Sequence, residues 1–179
     1  KMFDLKDRVV LITGATGGIG GAIAKHMKNA GATVVVSGRN VAKLEQEFND
    51  EYIKIPADLA TDGAAVELVM ATIEKCGRID VLINNAGNAH GLASFQDADL
   101  DDLDAMIDIN VKGLMYVTKA CLPFIKTSEN AHIVNLSSIA GKQVYTNGTV
   151  YCASKWAVEA LTKGMRLDFL PLGIKVTAI

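Results

Sequence analysis

Three short runs constrain the fold most. Val9-Val10-Leu11-Ile12, Val34-Val35-Val36 and Val81-Leu82-Ile83 are apolar at every position. A strand with one wet face alternates polar and apolar residues. One without that alternation is covered on both sides, as in a parallel sheet flanked by helices. Strand-like segments are read at Val9–Thr13, Thr33–Ser37, Tyr52–Ile55, Ile79–Asn84, His132–Ser137 and Ile174–Ile179. The stretches around 19–30, 40–49, 62–76, 99–121 and 150–168 are each long enough for a crossover helix. This alternation predicts an α/β chain, a Rossmann-like doubly wound parallel sheet with helices on both faces.

Composition agrees with a single packed domain over 1–179. Half of the 179 residues are apolar and 21% are charged, which excludes a disordered chain. No run approaches the ~18 apolar residues of a membrane helix, and the charged Lys1–Arg8 leads straight into a strand, unlike a signal peptide. Eighteen Lys and Arg against twenty Asp and Glu leave a net charge of −2 without a basic block. Neither membrane nor nucleic acid is therefore an expected partner. Cys76, Cys121 and Cys152 are odd in number, far apart and lack metal-site spacing, which points to a reducing cytoplasm. The sixth strand is still running at Ile179, so the sequence reads as a piece of a longer protein, cut within that strand.

Directly after the first strand comes Thr13-Gly14-Ala15-Thr16-Gly17-Gly18-Ile19-Gly20. Glycines at a strand-to-helix turn let the backbone approach a pyrophosphate, and the helix N-terminus supplies free N–H groups and partial positive charge. The spacing is Gly-xxx-Gly-x-Gly, a variant of the common dinucleotide fingerprint. Gly14, Thr16, Gly18, Ile19 and Gly20 are the turn residues expected at the cofactor. A site for NAD(H) wants a carboxylate about 20 residues on, to hold the ribose 2′-hydroxyl. From Gly20 through Leu44 there is neither Asp nor Glu, and the second strand ends Val36-Ser37-Gly38-Arg39. Arg39 offers a planar cation to a 2′-phosphate. The expected cofactor is NADP(H) rather than NAD(H).

Tyr151 and Lys155 stand four apart on a predicted helix and share a face. At ~6 Å and an effective dielectric of about 20, the ammonium favours a phenolate by ~2.8 kcal/mol. Such a phenol exchanges a proton with a carbonyl or alcohol oxygen. Lys155 and Glu159 are also four apart, and a surface ion pair is the competing reading. Ser138 falls just beyond the fifth strand, on the edge where such sheets bind ligands; taken without Tyr151, a serine capping or turning the loop is the favoured reading. Leu103, Ile107, Asn110, Leu114, Val117 and Cys121 form a 4-3-4-3-4 helical stripe containing one amide. A buried amide either knits the core or holds a functional water.

Together these residues resemble the short-chain dehydrogenase/reductase family. The glycine turn at 13–20, Asp58, Asn84-Asn85-Ala86-Gly87, Asn110, Ser138 and Tyr151-xxx-Lys155 stand in family order and spacing along essentially the whole chain. The resemblance implies Tyr151 as general acid/base and Ser138 as hydrogen-bond partner of the reacting oxygen. It implies that Lys155 holds the nicotinamide ribose and that Asn110 anchors the water passing the proton to solvent. Asp58 and Leu59 would flank the adenine, and Asn85, Ala86 and Gly87 would line the cofactor cleft. Gly17 stands where many NADP-preferring members place Lys or Arg. The segments 87–91, 106–108, 112–114 and 147–151 look most like the 3-hydroxy acid (serine or allo-threonine) dehydrogenase branch.

The function expected is hydride transfer between NADP(H) and a carbonyl or secondary alcohol, with a 3-hydroxy acid as the suggested substrate. Two rivals are a non-catalytic NADP(H)-binding regulator and an epimerase or dehydratase that retains its cofactor. A homo-oligomer, dimer or tetramer, is expected through helices 99–121 and 150–168, as in the family. The acidic cluster Asp97, Asp99, Asp101, Asp102, Asp104 and Asp108 reads as helix-start charge rather than a metal site. His90 lies near the cleft motif and is more often incidental. Cys152 reads as packing, and Trp156 as core or interface.

Overall fold

The computed structural model describes residues 4–91 and 93–179. Among them, β1 (Val9–Ile12), β2 (Thr33–Val36), β3 (Ile53–Lys54), β4 (Val81–Asn84), β5 (His132–Asn135) and β6 (Lys175–Ala178) pair in parallel. Their order is β3-β2-β1-β4-β5-β6. The strands are a residue or two shorter than the apolar runs suggest. Single backbone bonds extend the ladders, from Asp80 N–H to Val9 O and from Ile179 N–H to Asn135 O. The chain reverses direction across the sheet between β1 and β4. In doubly wound sheets that is where a crevice opens at the carboxyl ends of the strands.

Both faces are covered, as the unalternating runs require. Val9, Leu11, Val35, Leu82, Ile133 and Val176 share one core with helices α3 (Ala64–Cys76) and α5 (Leu114–Ile125). Met165 of α6 (Thr149–Asp168) packs against the same core. Val10, Ile12, Val34, Val36 and Ile83 face the other way, against Ala24 of α1 (Gly18–Asn29) and Leu44 of α2 (Val41–Glu47). Helix ends follow local chemistry. Asn40 caps α2 by accepting from Lys43 N–H at 3.0 Å, and Gly77 takes the left-handed conformation (φ 74°) that ends α3.

The end of the sheet away from the crevice is closed by a buried carboxylate. Asp80, fully buried, accepts from Val9 N–H (2.9 Å), the Arg78 guanidinium (2.8 and 2.9 Å) and the Ser128 hydroxyl (2.5 Å). Burial alone would push its carboxyl up. The Arg78, Ser128 and Val9 donors outweigh that and hold it below the usual carboxylate range.

One expectation needs correction. The 99–121 segment is not a continuous α-helix. It consists of α4 (Leu100–Ile107), a π-helical segment (Asp108–Gly113) and α5. The wider turn rotates the preceding helix relative to the stripe, so Met106 is buried in place of Ile107. Gly113 lets this segment approach the crevice wall, since a β-carbon there would stand 3.3 Å from Leu59 Cβ. Asn110 sits in the middle of the π-helical segment.

Candidate active site

The glycine turn is shaped from two sides. Gly14 adopts φ 60°, and a β-carbon there would lie 2.7 Å from Ala86 Cα. At Gly20 the same atom would meet Gly14 O at 2.5 Å and Asn85 Nδ2 at 2.6 Å. Gly18, by contrast, opens α1 with nothing within 4 Å of a β-carbon. Two glycines thus make room for protein, and the third leaves the helix N-terminus uncovered in a shallow recess that Gly17 and Gly21 also line. The chain after β4 clamps the turn. Asn85 Nδ2 donates to Gly14 O (2.8 Å), while the N–H groups of Asn85 and Ala86 donate to Thr13 Oγ1 (3.1 and 3.0 Å). Thr13 holds this junction, a role that only the neighbouring strand reveals.

Gly14, Thr16, Arg39, Asp58, Leu59, Ala86 and Gly87 come together as the lining of one cleft of about 190 Å³. Arg39 is exposed at its edge. Gly38 is buried beneath the Thr16 side chain, 3.2 Å from where a β-carbon would stand. Asp58 turns the chain locally by accepting from Ala60 N–H at 3.1 Å. Ile19 lies at the helix start with 65% of its surface exposed. An open helix N-terminus, small residues beneath it and a cation at the rim fit an extended phosphorylated dinucleotide.

The proposed catalytic group is assembled over the carboxyl ends of β4 and β5. Tyr151 and Lys155 share a face of α6, with Nζ 6.0 Å from the phenol ring centre. Lys155 is 6% exposed and donates to Leu136 O at 2.9 Å; burial pushes its ammonium down from the usual lysine range. Glu159 turns instead to the Ser137 hydroxyl (2.6 Å), and the Lys155–Glu159 ion pair does not form. Ser138 begins a short 3₁₀ turn, its Oγ accepting from Ala140 N–H at 3.1 Å, so capping leaves its hydroxyl proton still available. Gly148 admits the Tyr145 ring, which a β-carbon would strike, and so fixes the entry into α6.

Asn110 is almost fully buried, and its side chain joins three elements. Oδ1 accepts from Asn88 N–H (2.8 Å), and Nδ2 donates to Asn88 O (3.0 Å) and Ser154 Oγ (3.0 Å). Beneath lies a second polar chain that was not anticipated. Asn84 Nδ2 donates to Thr118 Oγ1 and Asn135 Oδ1, and Asn135 Nδ2 donates to Thr162 Oγ1, each at 3.0 Å. Asn84 and Asn135 are register partners, so this chain ties β4 and β5 to α5 and α6.

The segment after β4 separates two recesses. Gly87 and Asn88 line the cleft that Arg39 edges; Ala89, His90 and Gly91 line a pocket that also receives Tyr151 and Asp102. Other sequence readings resolve simply. Cys152 is buried, and Trp156 is 49% exposed on α6, so it is no core residue. Asp99 caps α4 through Asp101 N–H, Asp97 accepts from Ser94, and Asp108 pairs with Lys112. Among the described residues no helix is long and apolar enough to cross a membrane.

With this geometry in place, the comparison with known proteins is direct: the short chain dehydrogenase family profile matches residues 8–179. The chain belongs to that family. A solved 3-ketoacyl-(acyl-carrier-protein) reductase from Brucella melitensis, complexed with NADH, is 29% identical with a TM-score of 0.93, over 98% of this chain and 75% of that one. A metagenomic short-chain oxidoreductase in complex with NADP is 30% identical (TM-score 0.91; 97% and 81% covered). Serine dehydrogenase from Escherichia coli is 34% identical (TM-score 0.89; 95% and 80% covered). As a short-chain dehydrogenase this chain is an oxidoreductase of a fold that binds a nicotinamide cofactor.

Proposed function

We propose that this short-chain dehydrogenase is NADP(H)-dependent and interconverts a carbonyl and an alcohol, with a small 3-hydroxy acid as the alcohol. The observation that carries the redox reading is the buried Lys155 set against the Tyr151 ring, with its ammonium 3.5 Å from where a β-carbon on Gly87 of the cleft lining would stand. The bound nicotinamide supplies or accepts the hydride; the chain handles the proton.

In the reducing direction Tyr151 donates its phenolic proton to the carbonyl oxygen, and Ser138 holds that oxygen through its free hydroxyl proton. The Lys155 charge, kept in a low-dielectric setting, favours the phenolate left on Tyr151. In the oxidising direction the same phenolate takes the proton back. Asn110 acts from behind. Its side chain bonds Asn88 and Ser154 and leaves one acceptor site on Oδ1 for a proton-relay water.

NADP(H) is favoured by the exposed Arg39 at the cleft rim and by the lack of any carboxylate between Gly20 and Leu44. The serine dehydrogenase likeness supports the 3-hydroxy acid. The groove between α5 and α6, with Met115, Leu122 and Leu161 in its walls and Trp156 exposed nearby, supports a homo-oligomer, a dimer or tetramer.

Kinetics with both cofactors test the reading. Net consumption of NADPH with small carbonyls is expected, and an epimerase or dehydratase would consume none. Arg39→Ala should lower kcat/KM for NADPH about 10- to 100-fold, from ~1.5–3 kcal/mol of charge-assisted bonding, and leave NADH nearly unchanged. Equal losses with both cofactors would refute the phosphate assignment.

A further inference from the structure

The second pocket holds a feature that the redox chemistry does not use. His90 Nε2 is buried and has no hydrogen-bond partner among the described residues. A buried imidazole nitrogen without a partner is costly, and His90 is one wall of a cavity whose occupant can supply that partner after a small side-chain shift. The cavity is small, about 70 Å³, with Phe95, Leu103 and Met106 among its walls and Tyr151 at one side. Asp102 lines it too, from α4. Gly91 takes the left-handed conformation (φ 72°), and a β-carbon there would come 3.0 Å from Asp102 Oδ2, so that carboxylate sits close to the 89–91 segment.

An imidazole and a carboxylate in one small recess beside the proton-transfer group are hard to reconcile with a simple anion. Asp102 repels a second carboxylate unless the ligand also carries a cation. A zwitterion meets both demands, placing a carboxylate on His90 and an ammonium toward Asp102. We propose that His90 and Asp102 are specificity-determining residues that select a short 2-amino-3-hydroxy acid, His90 donating from Nε2 to its carboxylate while the alcohol carbon lies at Tyr151. This rests on the oxidoreductase reading above and names the ligand chemistry of the same site.

The test is a titration of the NADPH-bound full chain, in which a hydroxy acid forms a dead-end complex without turnover. The readout is the imidazole NMR signal of His90; with only three histidines in the sequence, the His90→Gln spectrum assigns it. The probes are DL-serine, 3-hydroxypropionate, which lacks the ammonium, and serinol, which lacks the carboxylate. Serine should shift the His90 signals at millimolar concentration. His90→Phe, which keeps a planar ring without a donor, should weaken serine and 3-hydroxypropionate about 10- to 100-fold and leave serinol unchanged. His90→Gln should recover part of the loss. Asp102→Asn should weaken serine and serinol and spare 3-hydroxypropionate.

The proposal is overturned if serine leaves the wild-type His90 signals unmoved, if His90→Phe binds both acids as tightly as wild type, or if all three probes weaken together. The redox reading stands or falls separately. Serine binding at His90 in a protein that never consumes NADPH would sink that reading alone, while an active enzyme indifferent to His90→Phe would sink this one alone.

Discussion

The amide of Asn110 donates to the Ser154 hydroxyl at 3.0 Å, and Ser154 in turn donates to the main-chain carbonyl of Tyr151 at 2.7 Å. A residue of the π-helical segment is thereby linked to the backbone that carries the proposed acid. Ser154→Ala breaks the link without creating bulk. It should cost about 1–2 kcal/mol of stability and leave Asn110 Nδ2 one acceptor short. Asn110→Ala also orphans Asn88 N–H and should cost more, about 2–4 kcal/mol. Denaturant midpoints of the two variants check the order; an Asn110→Ala variant as stable as wild type would contradict it.

The glycine turn offers a contrast between two neighbours. Gly14→Ala forces a β-carbon to 2.7 Å from Ala86 Cα at positive φ, so the backbone itself must move. A melting-temperature loss equivalent to at least ~2 kcal/mol is expected, from the left-handed backbone cost and the contact together. Gly18→Ala meets nothing within 4 Å and should fold normally. On the proposed cofactor site it should nonetheless bind NADPH more weakly, because its methyl crowds the open N-terminus of α1. Thermal melts with and without NADPH separate the two effects.

Asp80 makes an acid-stability prediction. Its folded-state carboxyl is held below the ordinary 3.8, so the unfolded chain binds more protons there. Its stabilisation is fully present above the unfolded value near 3.9 and is lost as pH falls through the lower folded value. Asp80→Ala should cost about 3 kcal/mol at neutral pH, by orphaning Val9 N–H and Ser128, and should flatten the fall in stability below pH ~3.8. Denaturant titrations of both proteins across that range decide it.

Lys155 carries the opposite sign. Burial lowers its folded pKa below 10.5, so the unfolded chain again binds more protons, and this residue's penalty lifts as pH rises through the folded value toward 10.5. Lys155→Met removes that penalty. The variant should melt no lower than wild type at pH 7, lose its advantage toward alkaline pH and lose NADPH turnover. A melting point well below wild type at pH 7 would show that the Leu136 hydrogen bond outweighs desolvation.

Much of the frame was legible because its signals are local. Runs apolar on both faces require a covered parallel sheet, and the glycine turn, Ser138 and the Tyr151–Lys155 spacing lie at the ends of the elements they mark. What stayed hidden needed partners distant in sequence. Asp80 becomes a clamp only once Ser128 and Val9 join the nearby Arg78 around it, and Asn84 pairs with Asn135 only through strand register. The π-helical segment was hidden differently. A stripe at Leu103, Ile107 and Asn110 suits an unbroken α-helix, and one widened turn brought Met106 inward without an obvious mark in composition.

Replacement of the Tyr151 hydroxyl tests the central claim most directly. Tyr151→Phe keeps the ring beside Lys155 and removes the proton donor. NADPH oxidation with a carbonyl substrate that the wild type reduces should fall about 10²- to 10⁴-fold, while the dissociation constant for NADPH stays within a few-fold of wild type. Turnover at the wild-type rate in that variant would contradict the account.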